Sequence, residues 1–474
     1  MYHPGADPAI DSPPHHHYDN DDMGMTQGAT EALVQRIGTI RSESMPSAVR
    51  TVARQCILDW VAVTMRAVDD PLVAMLVDQV TSEGGQPQAG LVGRKQRVSA
   101  RQAALVNGAA SHALDYDDVN IRMSGHPTVA VLPAALALGQ RMRASGRDLL
   151  GALAAGYETV CLVGAMVAPG HYARGFHVTG TVGTFGAAAA CAHLLGLDAG
   201  RTRAALGIAG TQAAGLKSMF GTMCKPLHAG KACESGLLAA ELAARGFTSR
   251  LDVIECAQGF AAAQTDTFDP TAVTGPDVGR WNLPDNLFKY HAACYQTHAA
   301  IEAIRELRRT EPFRPEDVDA IVLRHDAGAD KVCNIARPAT GLETKFSLRL
   351  LAAYAVLELD TADIDGYTDE RTRDPRLVAL RDRVQVVFSP DWPMTRSEVT
   401  IRLKDGRELF AVHDSGVPDA DLDRQTRRLV EKFEALAGRK LGRSRADRVI
   451  GTVMAVDELA DVGELIELLA LPAN

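Results

Sequence analysis

The chain has 474 residues, 46% hydrophobic and 23% charged, which is globular usage and excludes a largely disordered, collagen-like or fibrous protein. Fifty Lys+Arg against 59 Asp+Glu give a formal net charge of −9, so no broad basic field exists for nucleic acid, while a local basic pocket for a small anion stays open. The cysteines at 56, 161, 191, 224, 233, 256, 294 and 333 never fall at C-x-x-C spacing. They lack the usual zinc and iron–sulfur patterns and read as reduced thiols of a cytoplasmic protein.

In chain order, residues 1–28 are polar, rich in Pro, His and Asp, and carry neither the apolar nor the basic region of a signal peptide. They are predicted to be disordered, with His15, His16 and His17 as adventitious metal binders at most. From 29 to 268 apolar residues recur at three- and four-residue spacing, which predicts a large helical domain. Helices are expected over 46–66, 98–114, 128–143, 146–167, 182–196, 200–214 and 232–245. Ser99 and Asp198 are expected N-caps, and Gly196 and Gly246 expected stops. The stretches 149–169 and 175–197 are long enough to cross a bilayer. Glu158 sits inside the first and small residues fill the second, so both are read as packed interior helices and no membrane partner is expected.

The Pro-, Gly- and Asp-rich run after 268 marks a boundary. Residues 269–415 then read as α+β: alternating strands at 318–325, 384–388, 398–403 and 408–412, an apolar helix at 345–359, and a hairpin turn at Lys404-Asp405-Gly406-Arg407. The helical period returns over 416–474, as helices expected to pack back on the first domain. The expected fold is mainly α: a large all-helical domain built from both chain ends, plus a smaller inserted α+β domain.

Polar residues interrupt the apolar pattern in four segments. In the first, Asp115, Asp117 and Asp118 follow a helix, and Gly125-His126-Pro127 opens the next. A carboxylate beside a His fixes its tautomer and suits proton transfer, although a capping residue in a solvated acidic loop would look the same. In the second, His177 stands before a Gly- and Ala-rich helix whose glycines lack the G-x-G-x-x-G spacing, so close packing is a better reading than a dinucleotide loop. In the third, Lys225, His228 and Lys231 open an Ala-rich helix, a suitable place for a carboxylate or phosphate, or simply a solvated basic face. In the fourth, Lys289, His291, Tyr295 and His298 are expected at the start of a helix right after the domain boundary, where clefts commonly bind small molecules. H-x-x-x-H and G-x-S-x-G are absent, so neither a metal nor a hydrolase nucleophile is expected. A cofactor-free set of Asp, His and Lys suits chemistry on a polycarboxylate: lysines neutralise the acid groups and His and Asp move protons.

These segments in this order resemble the MmgE/PrpD family, which includes 2-methylcitrate dehydratase, cis-aconitate decarboxylase and iminodisuccinate epimerase. The likeness runs from about 29 to 470 and rests on HALDYDDV…GHPTVAVLPAALALG, GYE at 156–158, GFHVTGTVGTFGAAAACAHLLGLD, CKPLHAGKA and Thr297-His298. The resemblance implies a metal-free homodimer in which Asp115 and His126 transfer protons, Lys225 and Lys289 hold carboxylates, and His177 binds substrate or donates a proton. Arg122, His228 and Cys294 are further candidates for substrate contact. In the decarboxylases of the family a His stands where this chain has Cys294, and a Tyr lies near Ile335. The 2-methylcitrate dehydratases carry a longer, Trp-containing link before Gly-His-Pro, where this chain has VNIRMSG. The expected activity is a cofactor-independent lyase that abstracts a Cα proton from a small di- or tricarboxylate. Hydro-lyase action on a 2-methylcitrate-like acid comes first, with dicarboxylate epimerisation or cis-aconitate decarboxylation as alternatives.

Overall fold

The computed structural model describes residues 28–472, so the expected disorder of the N-terminus and the run His15–His17 lie outside the described residues. The chain is mainly helical. Its first part contains α1 (Ala29–Gly38), α2 (Ser47–Ala67), α3 (Pro71–Glu83), α4 (Ala100–His112), α5 (Pro127–Met142), α6 (Gly146–Val167), α7 (Val178–Leu194), α8 (Ala199–Gly210) and α9 (Cys224–Ala244), with short helical turns between some of them. Ser99 caps α4 in a reciprocal box with Gln102, and the Asp198 carboxylate accepts the Arg201 N–H at the start of α8. Gly196 and Gly246 end their helices with φ of +61° and +87°, conformations that side chains disfavour.

Small residues let these helices approach almost to backbone contact. A Cβ on Gly108 of α4 would lie 2.9 Å from Gly230 Cα of α9, and one on Gly156 of α6 would lie 2.7 Å from Gly186 O of α7. The low aromatic content therefore reflects tight helix packing. Helix α6 is long and apolar enough to span a bilayer, yet 94% of its most apolar window is buried against neighbouring helices.

Two helices begin earlier than their sequence period suggests. Helix α7 starts at Val178 and α9 at Cys224, which takes Lys225 and His228 into the first turns of α9. The segment 288–294 departs in the other direction. It is irregular, and α10 begins only at His298 and runs to Thr310.

The second part carries a four-stranded sheet of β1 (Val318–Asp326), β2 (Val384–Ser389), β3 (Arg396–Leu403) and β4 (Glu408–Asp414), in the order β2-β1-β3-β4. The β1–β2 pair is parallel and the other two pairs are antiparallel. The crossover between β1 and β2 contains α11 (Leu348–Val356), shorter than the predicted 345–359. Ile321, Leu323, Val399, Ile401 and Leu409 are buried on one face of the sheet, on the side of Ile301, Ile304 and Leu307 of α10.

Two features tie this part to the helices. Glu158 of α6 accepts hydrogen bonds from Asn282 N at 2.8 Å, Asn282 Nδ2 at 2.7 Å and Leu283 N at 3.1 Å, so the boundary segment is fixed to the helical core. Val119 and Leu287 exchange backbone bonds of 2.8 and 2.9 Å, which sets the chain two residues before Lys289 against the acidic loop. From the other end, α12 (Leu422–Phe433) packs on α2, with Gln55 Nε2 donating to Leu422 O and Thr426 Oγ1, both at 2.9 Å. Lys432 of α12 pairs with buried Asp59 of α2 at 2.6 Å and donates to Tyr116 O at 2.7 Å. The C-terminal helices thereby brace the loop that carries Asp115.

Candidate active site

Helix α4 ends at His112, and the chain turns sharply with Asp115 at φ +51°. A non-glycine residue in that region is uncommon, and here it aims the carboxylate at two lysines. Lys225 Nζ lies 2.9 Å from Asp115 Oδ2, and Lys289 Nζ lies 3.0 Å from Asp115 Oδ1. Burial pushes the Asp115 carboxyl upward, but the ammonium groups of Lys225 and Lys289 outweigh it and hold the group well below the usual carboxylate range. Asp115 is thus held as an anion between the two ammonium groups. Lys289 is 2% exposed, whereas Lys225 is 15%, His126 13% and Asp115 29% exposed, so the cluster opens on the last three.

His126 precedes Pro127, which starts α5. Its Nδ1 lies 2.8 Å from Asp117 Oδ2 and 3.0 Å from Asp118 O. Both neighbours are acceptors, so Nδ1 carries a hydrogen and Nε2 is left to face the cluster. That Nε2 is 3.7 Å from Asp115 Oδ1, at the lysine pair. Asp117 also accepts from His112 Nδ1 at 2.9 Å. Burial raises the Asp117 carboxyl, and the His112 and His126 imidazoles reverse the effect to leave it well below its ordinary range. Burial also pulls His112 down to about 4 against the attraction of Asp117, so this imidazole is neutral at pH 7.

His177 is the residue before α7, and its Nδ1 meets His228 Nδ1 at 3.0 Å, close enough to share one hydrogen. Burial, then the neighbouring His112 and Lys225, hold His177 well below its ordinary value, and burial lowers His228. The rings of His112 and His177 stack at 5.8 Å, and Phe220 meets the His177 ring edge-on at 5.0 Å. Cys294 forms part of the wall on the Lys289 side, its N–H donating to Lys345 O at 2.9 Å. A hydrogen bond from Cys333 lowers the Cys294 thiol, and burial is further offset by the Gln296 N–H and the Lys289 ammonium.

The structure therefore gathers Asp115, His126, His177, Lys225, Lys289 and His228 into one cluster, with Cys294 beside it. Arg122 does not join them. Its guanidinium donates to Asn282 Oδ1 at 3.0 Å and Ala272 O at 3.4 Å, so it fastens the acidic loop to the boundary segment instead of facing an anion. Lys231 is exposed and pairs with Glu234. His291 is buried between Thr361 Oγ1 at 2.7 Å and Glu302 Oε1 at 3.1 Å, and His298 faces Ala293 O at 3.3 Å, so both serve the scaffold.

His112 joins the site beyond the residues that the motifs single out, and it shares Asp117 with His126. The spacing of His112 and Asp117 gives no signal, because their contact depends on the turn after α4. Ligand atoms of His112, Asp115, Asp117 and His126 lie within 4.8 Å of one another, the compactness of a metal site. The two ammonium groups already seated on Asp115 would repel a divalent cation, so the donor set fits a balanced ion cluster better.

The MmgE/PrpD N-terminal domain matches residues 31–272, and the MmgE/PrpD C-terminal domain matches residues 291–458. Cis-aconitate decarboxylase from Mus musculus is 26% identical over 473 residues, covering 95% of each chain. The Homo sapiens protein of that name is 29% identical over 399 residues, covering 80% of this chain and 81% of its own. The cis-aconitate decarboxylase of Aspergillus terreus strain NIH 2624 / FGSC A1156 is 24% identical over 484 residues, covering 96% and 98%.

Proposed function

The chain belongs to the MmgE/PrpD family, and from that premise we propose that it is a lyase that decarboxylates a small tricarboxylate of the cis-aconitate type without a metal or organic cofactor. The observation that carries the reading is the placement of His126, with Nδ1 held by Asp117 and Nε2 set beside the Lys225–Asp115–Lys289 cluster. The relatives' names favour decarboxylation over the dehydration that the sequence alone put first.

The chemistry has simple demands. As the bond to the departing carboxylate breaks, its electron pair forms a new carbon–carbon double bond. The old double bond gives its pair to the far carbon, which takes one proton, and carbon dioxide leaves. A protonated His126 supplies that proton from Nε2, and Asp117 stabilises the imidazolium until then. The Lys225 ammonium has three N–H donors and only one seated on Asp115, so it can also hold a retained carboxylate. Neutral His112 and His177 line this side without adding charge of their own.

Cys294 supports a second reading, because the resemblance places a His there in the decarboxylases. In that reading Nε2 acts as a base and takes a Cα proton, either from a 2-methylcitrate-like hydroxy acid that then loses water or from a dicarboxylate that is epimerised. Proton NMR in D₂O with cis-aconitate, 2-methylcitrate and iminodisuccinate separates the readings. The first expects new methylene olefin signals and one deuterium per product from cis-aconitate. Turnover of another acid with cis-aconitate left intact would overturn it in favour of the second.

A further inference from the structure

The lysines near the site differ in one respect. Lys289 is paired with Asp115, as is Lys225, and Lys432 behind them is paired with Asp59. Lys345 has no carboxylate within 4.0 Å and no hydrogen bond from its ammonium among the described residues. It is half-buried in the turn before α11, with its ammonium free to take an anion.

Its position is well fixed. The backbone oxygen of Lys345 accepts the N–H of Cys294, five positions after Lys289, at 2.9 Å. Its ammonium lies 5.7 Å from the centre of the Tyr367 ring, and Tyr367 is held by a bond from its hydroxyl to Thr361 O at 2.8 Å. Thr361 O also accepts the Ala292 N–H at 2.8 Å, and the Tyr116 hydroxyl, next to Asp115, donates to Ala362 O at 3.3 Å. The charges of Asp115 and Lys289 both act on the Lys345 ammonium. Asp115 already balances much of the other two lysines, so Lys345 is the cation of this region that a ligand's charge would complete.

We propose that Lys345 is a third cation of the active site, which anchors a substrate carboxylate remote from the reacting carbon and selects tricarboxylates over dicarboxylates. The proposal rests on the polycarboxylate reading of the site, and its test does not depend on which reaction follows. Titration calorimetry with tricarballylate, a saturated tricarboxylate, and glutarate, which lacks its central carboxylate, would compare wild type, Lys345→Met and Lys345→Arg. We expect Lys345→Met to weaken tricarballylate at least about 10-fold and glutarate less than about 3-fold, with Lys345→Arg within about 3-fold of wild type on both. Equal losses on both acids, an unchanged tricarballylate affinity, an Arg variant as weak as Met, or a wild type that binds no tricarballylate would each overturn it. A packing role alone would shift the melting temperature without changing the ratio between the acids. Wild-type turnover of cis-aconitate, measured separately, tests the reaction, whereas the calorimetry alone tests the role of Lys345.

Discussion

Asp117 Oδ2 lies 2.8 Å from His126 Nδ1, and this contact determines what the imidazole can do. It fixes the hydrogen on Nδ1 and stabilises the ring when Nε2 is protonated. An amide in place of the carboxylate keeps the shape and loses both effects. Asp117→Asn should therefore lower kcat by about 10²- to 10⁴-fold with KM within about 3-fold. Steady-state kinetics on the acid that the wild type turns over provides the check, and a loss under tenfold would contradict the role.

Lys432 acts at a distance. It neutralises buried Asp59 and holds Tyr116 O, the residue after Asp115. Lys432→Met leaves Asp59 buried without its partner, at a cost of about 3 kcal/mol. Chemical denaturation should show that loss. Turnover should fall with it, because the acidic loop loses its brace.

Helix α9 brings Lys225 to Asp115 only because it lies so close to α4. A Cβ on Gly230 would meet Leu105 O at 2.3 Å, a backbone atom that cannot swing aside. Gly230→Ala should cost about 1–3 kcal/mol by forcing the helices apart. It should also reduce kcat/KM more than a comparable alanine on the exposed face of α9, since Lys225 rides on the displaced helix. A melting temperature unchanged within error would refute the close contact.

Stability should depend on pH at both ends. Burial holds His171 and His112 at about 4, below their ordinary 6.5, so the unfolded chain binds more protons between those values. Their contribution is complete above pH 6.5 and is lost as the pH falls toward 4. Asp118 behaves oppositely: burial pushes its carboxyl up to about 8, so stability is lost as pH rises from about 4 through 8. His171 lies outside the cluster, between Gln264 O at 3.2 Å and Thr181 Oγ1 at 2.7 Å. His171→Gln should flatten the drop in melting temperature between pH 7 and 5, and Asp118→Asn the drop between pH 6 and 8.5. Curves parallel to wild type would contradict the assignments.

Local signals make much of the chain legible. Ser99 and Asp198 cap helices, Gly406 turns the β3–β4 hairpin at φ +87°, and apolar spacing marks the long helices. The starts of α7 and α9 are less legible because Gly, Thr and Lys obscure the apolar period in their first turns. The motif residues Asp115, His126, His177, Lys225 and Lys289 come together although the last is 174 positions from the first. Arg122 departs from its expected role because its partner, Asn282, belongs to a segment whose course the sequence does not reveal. His112 and Lys345 escape a reading of the motifs for a related reason. One acquires its role from a left-handed turn at Asp115, the other from backbone pairing with Cys294.

The central claim is that His126 Nε2 carries the transferred proton, and His126→Asn tests it most directly. Asn keeps a polar group and removes the titrating nitrogen. With cis-aconitate as substrate, followed by proton NMR in D₂O, the account predicts that the variant still binds the acid while product formation falls by about 10²-fold or more. A variant that releases carbon dioxide and incorporates deuterium at near the wild-type rate would contradict it.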